Sequence, residues 1–265
     1  MCIGLDRLWE AMVTLSFDHN LTIKPNRTYI FSPHSEEQLR QAFKEFGIDD
    51  RNIEIFNDNY FDQYYNLSLW VQDNWYKQQA LKLCSLDFFN SDYFLIQDAD
   101  IALLKPYNIL ENGTINFKVE RLWHEHHKIY SDMIEEITGF KRVIDYSFIS
   151  EIMPYTKQDW YELKAQIEQT YGVNFLQALC IRDFDKTKWF SEYELLGIFK
   201  TNIDKEWTSE IILTQPPITT WEEFRAIDWS CYNSVRFHVH PFKRMNQDQA
   251  KEMIKHLKDN YDTVN

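Results

Sequence analysis

Glycine is scarce, with only six in 265 residues, and no glycine-rich run occurs. That argues against a nucleotidyltransferase or phosphohydrolase built on a phosphate-cradling glycine loop. Cysteine is equally sparse. Cys2, Cys84, Cys180 and Cys231 are scattered along the chain, with neither metal-ligand spacing nor a disulfide framework. No stretch approaches the ~18–20 apolar residues that a membrane span needs. Met1 is followed by "CIGLDRLWE", which soon becomes charged and does not read as a secretory leader. A reducing cytoplasm is therefore the expected location, and the sequons at Asn20, Asn26, Asn66 and Asn112 carry no meaning there. Positive charge is also in deficit. Lys and Arg total 28 against 41 Asp and Glu, a net charge of −13. That argues against gripping long nucleic acid through a global field.

What is present is apolar and aromatic residue in an alternating pattern of elements. Aromatics make up 16% of the chain, which suits core filling and also sugar or base stacking. "LWEAMVTLSF" has helical spacing through Leu8, Met12 and Leu15. "RTYIFSP" reads as a strand stopped by Pro33. "SEEQLRQAFKEFG" opens on Ser35 as N-cap, with Gln38 three residues on, and closes on Gly47. "NIEIFND" alternates as a strand, "DNWYKQQALKLCSLDFF" reads as a long helix from near Asp73, and "YFLIQ" is the next strand. This succession predicts a mainly parallel sheet flanked by crossover helices. After Pro106 the pattern loosens. It still predicts a strand and a helix between Thr114 and Gly139, and a strand or strand-into-turn at "SFISEIMP". Beyond these come a helix over 157–172 ending at Gly172, a helix at "SEYELLGIFK", a late strand at "SVRFHVHPFK" and a C-terminal amphipathic helix. We read 1–265 as one domain, with a sheet half over 1–106 and a second half over 107–265.

The stretch "YFLIQDADIALLKP", residues 93–106, carries the chemistry. Asp98 and Asp100 follow a buried strand, at the edge where open sheets place ligands. Alternation sends both to one side with the small Ala99 between them. Two such acids repel unless a cation sits between them, and a hard divalent cation such as Mg²⁺ or Mn²⁺ takes oxygen ligands of this kind. An isolated Asp-x-Asp is also common in turns.

Strand, Asp-x-Asp, short apolar stretch and proline resemble the metal site of GT-A glycosyltransferases, which use nucleotide-sugar donors. "WYKQQALKL" (75–83), "YFLIQDADIALLKP" (93–106), "SFISEIMP" (147–154) and "WFSEYELLG" (189–197) resemble a poorly characterised family of bacterial and viral glycosyltransferase-like proteins. The resemblance implies a GT-A, Rossmann-like fold with an acceptor-side C-terminal half. It implies a metal-dependent hexosyl- or pentosyltransferase using a nucleoside-diphosphate sugar, by analogy a UDP-sugar. Asp98, Ala99 and Asp100 then form the donor and metal site, and a late histidine, His238 or His240, joins as metal ligand. The loop after the first strand contacts the nucleotide, which brings in Asp6 and Arg7.

On the preceding helix, Lys77 falls between Cys84 and Phe88 on the helical wheel, and Gln79 between Leu86 and Leu83. Lys77 can snorkel and Gln79 can be a hydrogen-bonded core amide. Alternatively Lys77 reaches a donor phosphate or hydroxyl and Gln79 or Gln78 orients the sugar, as the resemblance favours. Lys243 and Arg244 add positive charge. Glycosyl transfer needs an acid to take the acceptor proton, or to position the sugar and stabilise positive charge if configuration is retained. Glu192 is the first candidate and Glu194 the second, although Ser191 and Glu194 also fit a capping box. Asp145 either holds a sugar hydroxyl or caps a turn. The cluster "WHEHH" (123–127) fits neither a zincin helix nor a zinc finger. A saccharide is the default acceptor. A modified base in DNA is the alternative if Arg236, Lys243 and Arg244 form a local basic groove. A catalytically inactive nucleotide- or glycan-binding protein is the reading from another class.

Overall fold

The computed structural model describes residues 1–4, 6–66, 74–121, 126–180, 191–203, 206–211, 220–237 and 245–261; the side chains at 74, 121, 126, 127, 180 and 261 are outside the description. The chain forms two compact units interleaved in sequence: Met1–Asp58 with Gln97–Ile109 and Ile212–Asn265, and Asn59–Ile96 with Leu110–Ile211.

The first unit is organised around α1 (Leu8–Ser16), whose described residues from Glu10 to Leu15 are all buried. Ala11, Met12 and Leu15 pack with Ile30, Leu39, Phe43 and Ala99. Val13 packs instead with Ala102, Phe224, Trp229, Val235 and Met253. A helix apolar on several faces has to be enclosed on several sides. One side is a parallel ladder of β1 (Thr28–Ser32) and β2 (Ile53–Asn57), extended by a parallel bridge from Cys2 to Phe31. The other carries the antiparallel pair of β4 (Ile101–Leu103) and β10 (Ser234–Arg236). Between β1 and β2, α2 (Glu36–Phe46) has the expected ends. The Ser35 side chain accepts from Gln38 N–H, Gln38 answers at the Ser35 N–H, and Gly47 closes the helix at φ 67°.

The second unit is built on β6 (Thr114–Arg121). It pairs antiparallel with β5 (Leu110–Glu111) and β7 (Tyr146–Ser147), and parallel with β9 (Thr208–Ile211). β3 (Tyr93–Gln97) pairs with β8 (Ile152–Thr156). The ladders are therefore mixed, where strand–helix alternation suggests a mainly parallel sheet. Antiparallel partners come from the β5–β6 hairpin, which turns at Asn112 and Gly113, and from pairings distant in the chain, β6 with β7 and β4 with β10, which leave no periodic signal. "SFISEIMP" resolves into β7 and β8, separated by a turn in which Glu151 takes φ 62°.

Helices fill out this unit: α3 (Asp62–Tyr65), α4 (Asn74–Phe88), α5 (His126–Thr138), α6 (Lys157–Tyr171), α7 (Phe175–Cys180) and α8 (Glu192–Ile203). α6 starts on Thr156, whose side chain accepts from Asp159 N–H, and ends at Gly172 in the left-handed region. Lys157 donates to the carbonyls of Leu86, Asp87 and Phe89, which closes the C-terminal end of α4. α8 is buried from Glu192 to Thr201. It packs so closely that a Cβ built on Gly197 would lie 2.2 Å from Cγ of Phe148. Two further helices, α9 (Trp221–Ala226) and α10 (Gln247–Tyr261), belong to the first unit. Among the described residues no helix is long and apolar enough to cross a membrane.

Candidate functional site

Asp98, Ala99 and Asp100 form a turn that leaves β3 and enters β4, and two long-range bonds hold it in the first unit. The Thr14 hydroxyl on α1 donates to the Ala99 carbonyl at 2.9 Å, inside the core. The Phe237 N–H, just past β10, donates to the Asp100 carbonyl at 2.8 Å. Ala99 is buried while Asp98 and Asp100 keep partial exposure. The turn is thus anchored through its backbone, which leaves the carboxylates on its accessible side.

Positive charge beside the pair comes from the chain itself. Arg7, the residue capping α1, places Nη1 3.6 Å from Oδ2 of Asp100 and 3.7 Å from Oε1 of the fully buried Glu10. These are ion-pair distances, too long for hydrogen bonds. Nη1 is itself buried and makes no hydrogen bond among the described residues. Burial pulls the Arg236 guanidinium down to about 10, against the opposing pull of Asp100 and Asp98. Two hard carboxylates on a fixed turn suit a hard divalent cation, so the donor set fits a metal, with Arg7 competing for one of its oxygens. Asp6 is exposed beside Arg7. His238, His240, Lys243 and Arg244 lie outside the described residues, as does most of the "WHEHH" stretch. No group of three or more metal-ligating side chains occurs among the described residues.

Next to this turn, Gln97 Nε2 donates to Oδ1 of Asp18 at 3.3 Å. Burial raises the Asp18 carboxyl from 3.8 to about 7, although Gln97 and Lys24 pull it the other way.

The second unit holds a separate buried polar cluster. On α8, Glu192 and Glu194 have no exposed side-chain surface. Lys82 Nζ from α4 lies 2.5 Å from Glu192 Oε1, and sits 4.8 Å over the Tyr193 ring. With its amide turned so that the NH₂ faces the carboxylate, Gln79 donates to the same oxygen at 2.8 Å. Glu194 accepts from Ser147 Oγ at 2.6 Å and Phe148 N–H at 3.2 Å, and pairs with Arg142 at 2.8 Å. Burial raises the Glu194 carboxyl, against the pull of Arg142 and these donors. Tyr130 on α5 is close enough that both glutamates, after burial, push its hydroxyl up. The Glu194 carboxylate thus fastens the end of β7.

Other sequence candidates fall around this cluster without joining it. Lys77 Nζ donates to Asn59 Oδ1 at 2.5 Å, near the surface. Gln78 is half-buried, and Asp145 is exposed just before β7. Lys82, Arg142 and Tyr130 escape sequence reading. Lys82 lies three residues after Gln79 and shares its face, which was the available signal. Arg142 and Tyr130 offered none, because their partners are distant in the chain.

Comparison with solved structures agrees on the architecture. A galactosyltransferase, LgtC, in complex with donor and acceptor sugar analogs superposes with a TM-score of 0.50 at 10% identity, covering 96% of this chain and 94% of that one. Mouse xyloside xylosyltransferase 1 in its apo form gives 0.48 at 10% identity, covering 92% of this chain and 97% of the other. The likeness to the galactosyltransferase is one of fold: a mixed α/β architecture of the GT-A type. Residues 14–243 match the Family of unknown function (DUF6492), and the chain belongs to that family. No curated protein matches in sequence.

Proposed function

We propose that the protein is a glycosyltransferase that moves a sugar from a nucleoside-diphosphate donor, a UDP-sugar, to a hydroxyl of a saccharide acceptor, within a single catalytic domain over 1–265. The observation that carries this reading is the fixed Asp98–Ala99–Asp100 turn. Its backbone is pinned by Thr14 and Phe237, its carboxylates are accessible, and arginines stand beside it. Such a turn serves a ligand that brings both a cation and an anion, as a metal-bound diphosphate does.

Asp98 and Asp100 hold Mn²⁺ or Mg²⁺ in this proposal, with His238 or His240 as a further ligand. When bound, the metal offsets negative charge that builds on the leaving diphosphate. Asp6, Arg7 and Lys243 serve the nucleotide side of the donor. Lys77, Gln78 and Gln79 serve its phosphate or sugar. Glu192 and Glu194, paired with Lys82 and Arg142, are assigned the acid role in the transfer: taking the acceptor proton, or orienting the sugar and stabilising positive charge at the anomeric centre if configuration is retained. Asp145 holds a hydroxyl.

The test is a thermal-shift panel of nucleotides and nucleotide sugars, with and without Mn²⁺. The expected result is stabilisation by the uridine series only when Mn²⁺ is present. Asp98→Asn should abolish it, together with donor hydrolysis. Binding that ignores both metal and this substitution would favour an inactive binding protein instead.

A further inference from the structure

We infer that Arg7 is an exchangeable counter-ion of Asp100, which turns to the donor diphosphate when a cation takes its place beside that carboxylate. The inference rests on the reading that the Asp98–Ala99–Asp100 turn binds a metal and a diphosphate.

Three features of Arg7 point to it. Its Nη1 faces two carboxylates, on Asp100 and Glu10, at 3.6 Å and 3.7 Å, and hydrogen-bonds neither. A guanidinium committed to a structural pair closes to about 2.7–2.9 Å, often with two parallel bonds. Arg7 instead holds a compromise position between two anions and leaves a buried donor unused. Second, its backbone is held by bonds of its own, independent of the guanidinium. Arg7 N–H donates to the Gly4 carbonyl at 3.1 Å and Ala11 N–H to the Arg7 carbonyl at 3.1 Å, so the first turn of α1 stays in place if the guanidinium swings. Third, the charge count favours exchange. Arg236 already lies in the field of both Asp98 and Asp100. A divalent cation entering beside Asp100 therefore meets the like charge of Arg7, 3.6 Å from that carboxylate. Phosphate oxygens brought with the cation match the planar fork of arginine.

Two consequences follow. Arg7 weakens cation binding when nucleotide is absent and strengthens nucleotide binding when the cation is present. The enzyme therefore holds little metal until the donor arrives, and metal and nucleotide bind with positive coupling.

The test compares wild type, Arg7→Met and Arg7→Lys by titration of Mn²⁺ alone, followed through the free-ion EPR signal, and of UDP by calorimetry at saturating Mn²⁺. Arg7→Met should bind Mn²⁺ alone about tenfold more tightly than wild type, and UDP about tenfold more weakly. Arg7→Lys keeps the competing charge and loses the fork. It should leave Mn²⁺ affinity near wild type and still weaken UDP. Unchanged constants in both variants, or Mn²⁺ binding that weakens in Arg7→Met, would overturn the inference while leaving the donor site standing. A wild type that binds neither Mn²⁺ nor UDP overturns both this inference and the reading beneath it.

Discussion

The ammonium of Lys82 on α4 sits 2.5 Å from the carboxylate of Glu192 on α8, and neither side chain has more than 4% of its surface exposed. Removing one partner of such a pair leaves the other charged in a dry site, which costs about 3–5 kcal/mol. Lys82→Met and Glu192→Gln should each lower the unfolding free energy on that scale. The double variant Lys82→Met/Glu192→Gln should cost less than the two added together, because it strands no charge. Urea denaturation of the three variants checks this. Strict additivity would show that the pair is not coupled.

Gly197 allows α8 to lie against Phe148, whose ring would meet an added Cβ at 2.2 Å. Phe148 is itself held edge-on to Phe117, with centroids 5.3 Å apart, and is fully buried, so it has little room to retreat. In a solvent-exposed helix Gly→Ala stabilises. Here Gly197→Ala should destabilise by about 1–3 kcal/mol through overpacking. Phe148→Leu in the same chain should recover part of the loss. Thermal melts of the single and double variants read this out.

These two sites also show where sequence reading reaches its limit. The ends of α2 at Ser35, Gln38 and Gly47, and of α6 at Gly172, are local chemistry and were legible residue by residue. The place of Asp98 and Asp100 at the end of β3 was legible too, but the alternation used to put both on one side assumes an extended strand, and Ala99 and Asp100 lie in a turn. The partners were not legible. Lys82 in "ALKLCS" has the look of a solvated helix lysine until α8 brings Glu192 to it, and Arg142 acquires meaning only when Glu194 reaches β7. The antiparallel pairing of β10 with β4 is likewise set by a chain returning from far along the sequence. Charge compensation at Asp100 followed the same rule. The sequence reading asked for a cation between the acids; that the Arg7 side chain stands beside Asp100 was not legible.

Asp18 gives the protein a distinct pH signature. Burial lifts its carboxyl to about 7 from 3.8 in the unfolded chain. The folded state then binds the proton more tightly than the unfolded state between those values, so this group's contribution falls as pH rises from about 4 to about 7. Asp18→Asn removes the charge and keeps an acceptor for Gln97. The variant should match wild type below pH 4 and gain in melting temperature relative to it up to about pH 7. Melting curves from pH 4 to pH 8 test this. A constant offset across the range would mean that Asp18 ionises normally in the fold.

Thr14 tests whether the acid turn depends on its backbone anchor. Its hydroxyl reaches from the buried face of α1 to the Ala99 carbonyl, between the two aspartates. Thr14→Val keeps the shape and loses the donor, which costs about 1–3 kcal/mol when a buried acceptor is left unpaired. Loosening that carbonyl frees the peptide that spaces Asp98 from Asp100. UDP binding in the presence of Mn²⁺ should therefore weaken several-fold, beyond any effect of reduced folding, while Thr14→Ser retains both stability and binding. Urea unfolding and calorimetry on the two variants separate the outcomes. If Thr14→Val loses stability yet binds UDP and Mn²⁺ as wild type does, the anchor belongs to the core alone, and the turn is held for ligand by Phe237.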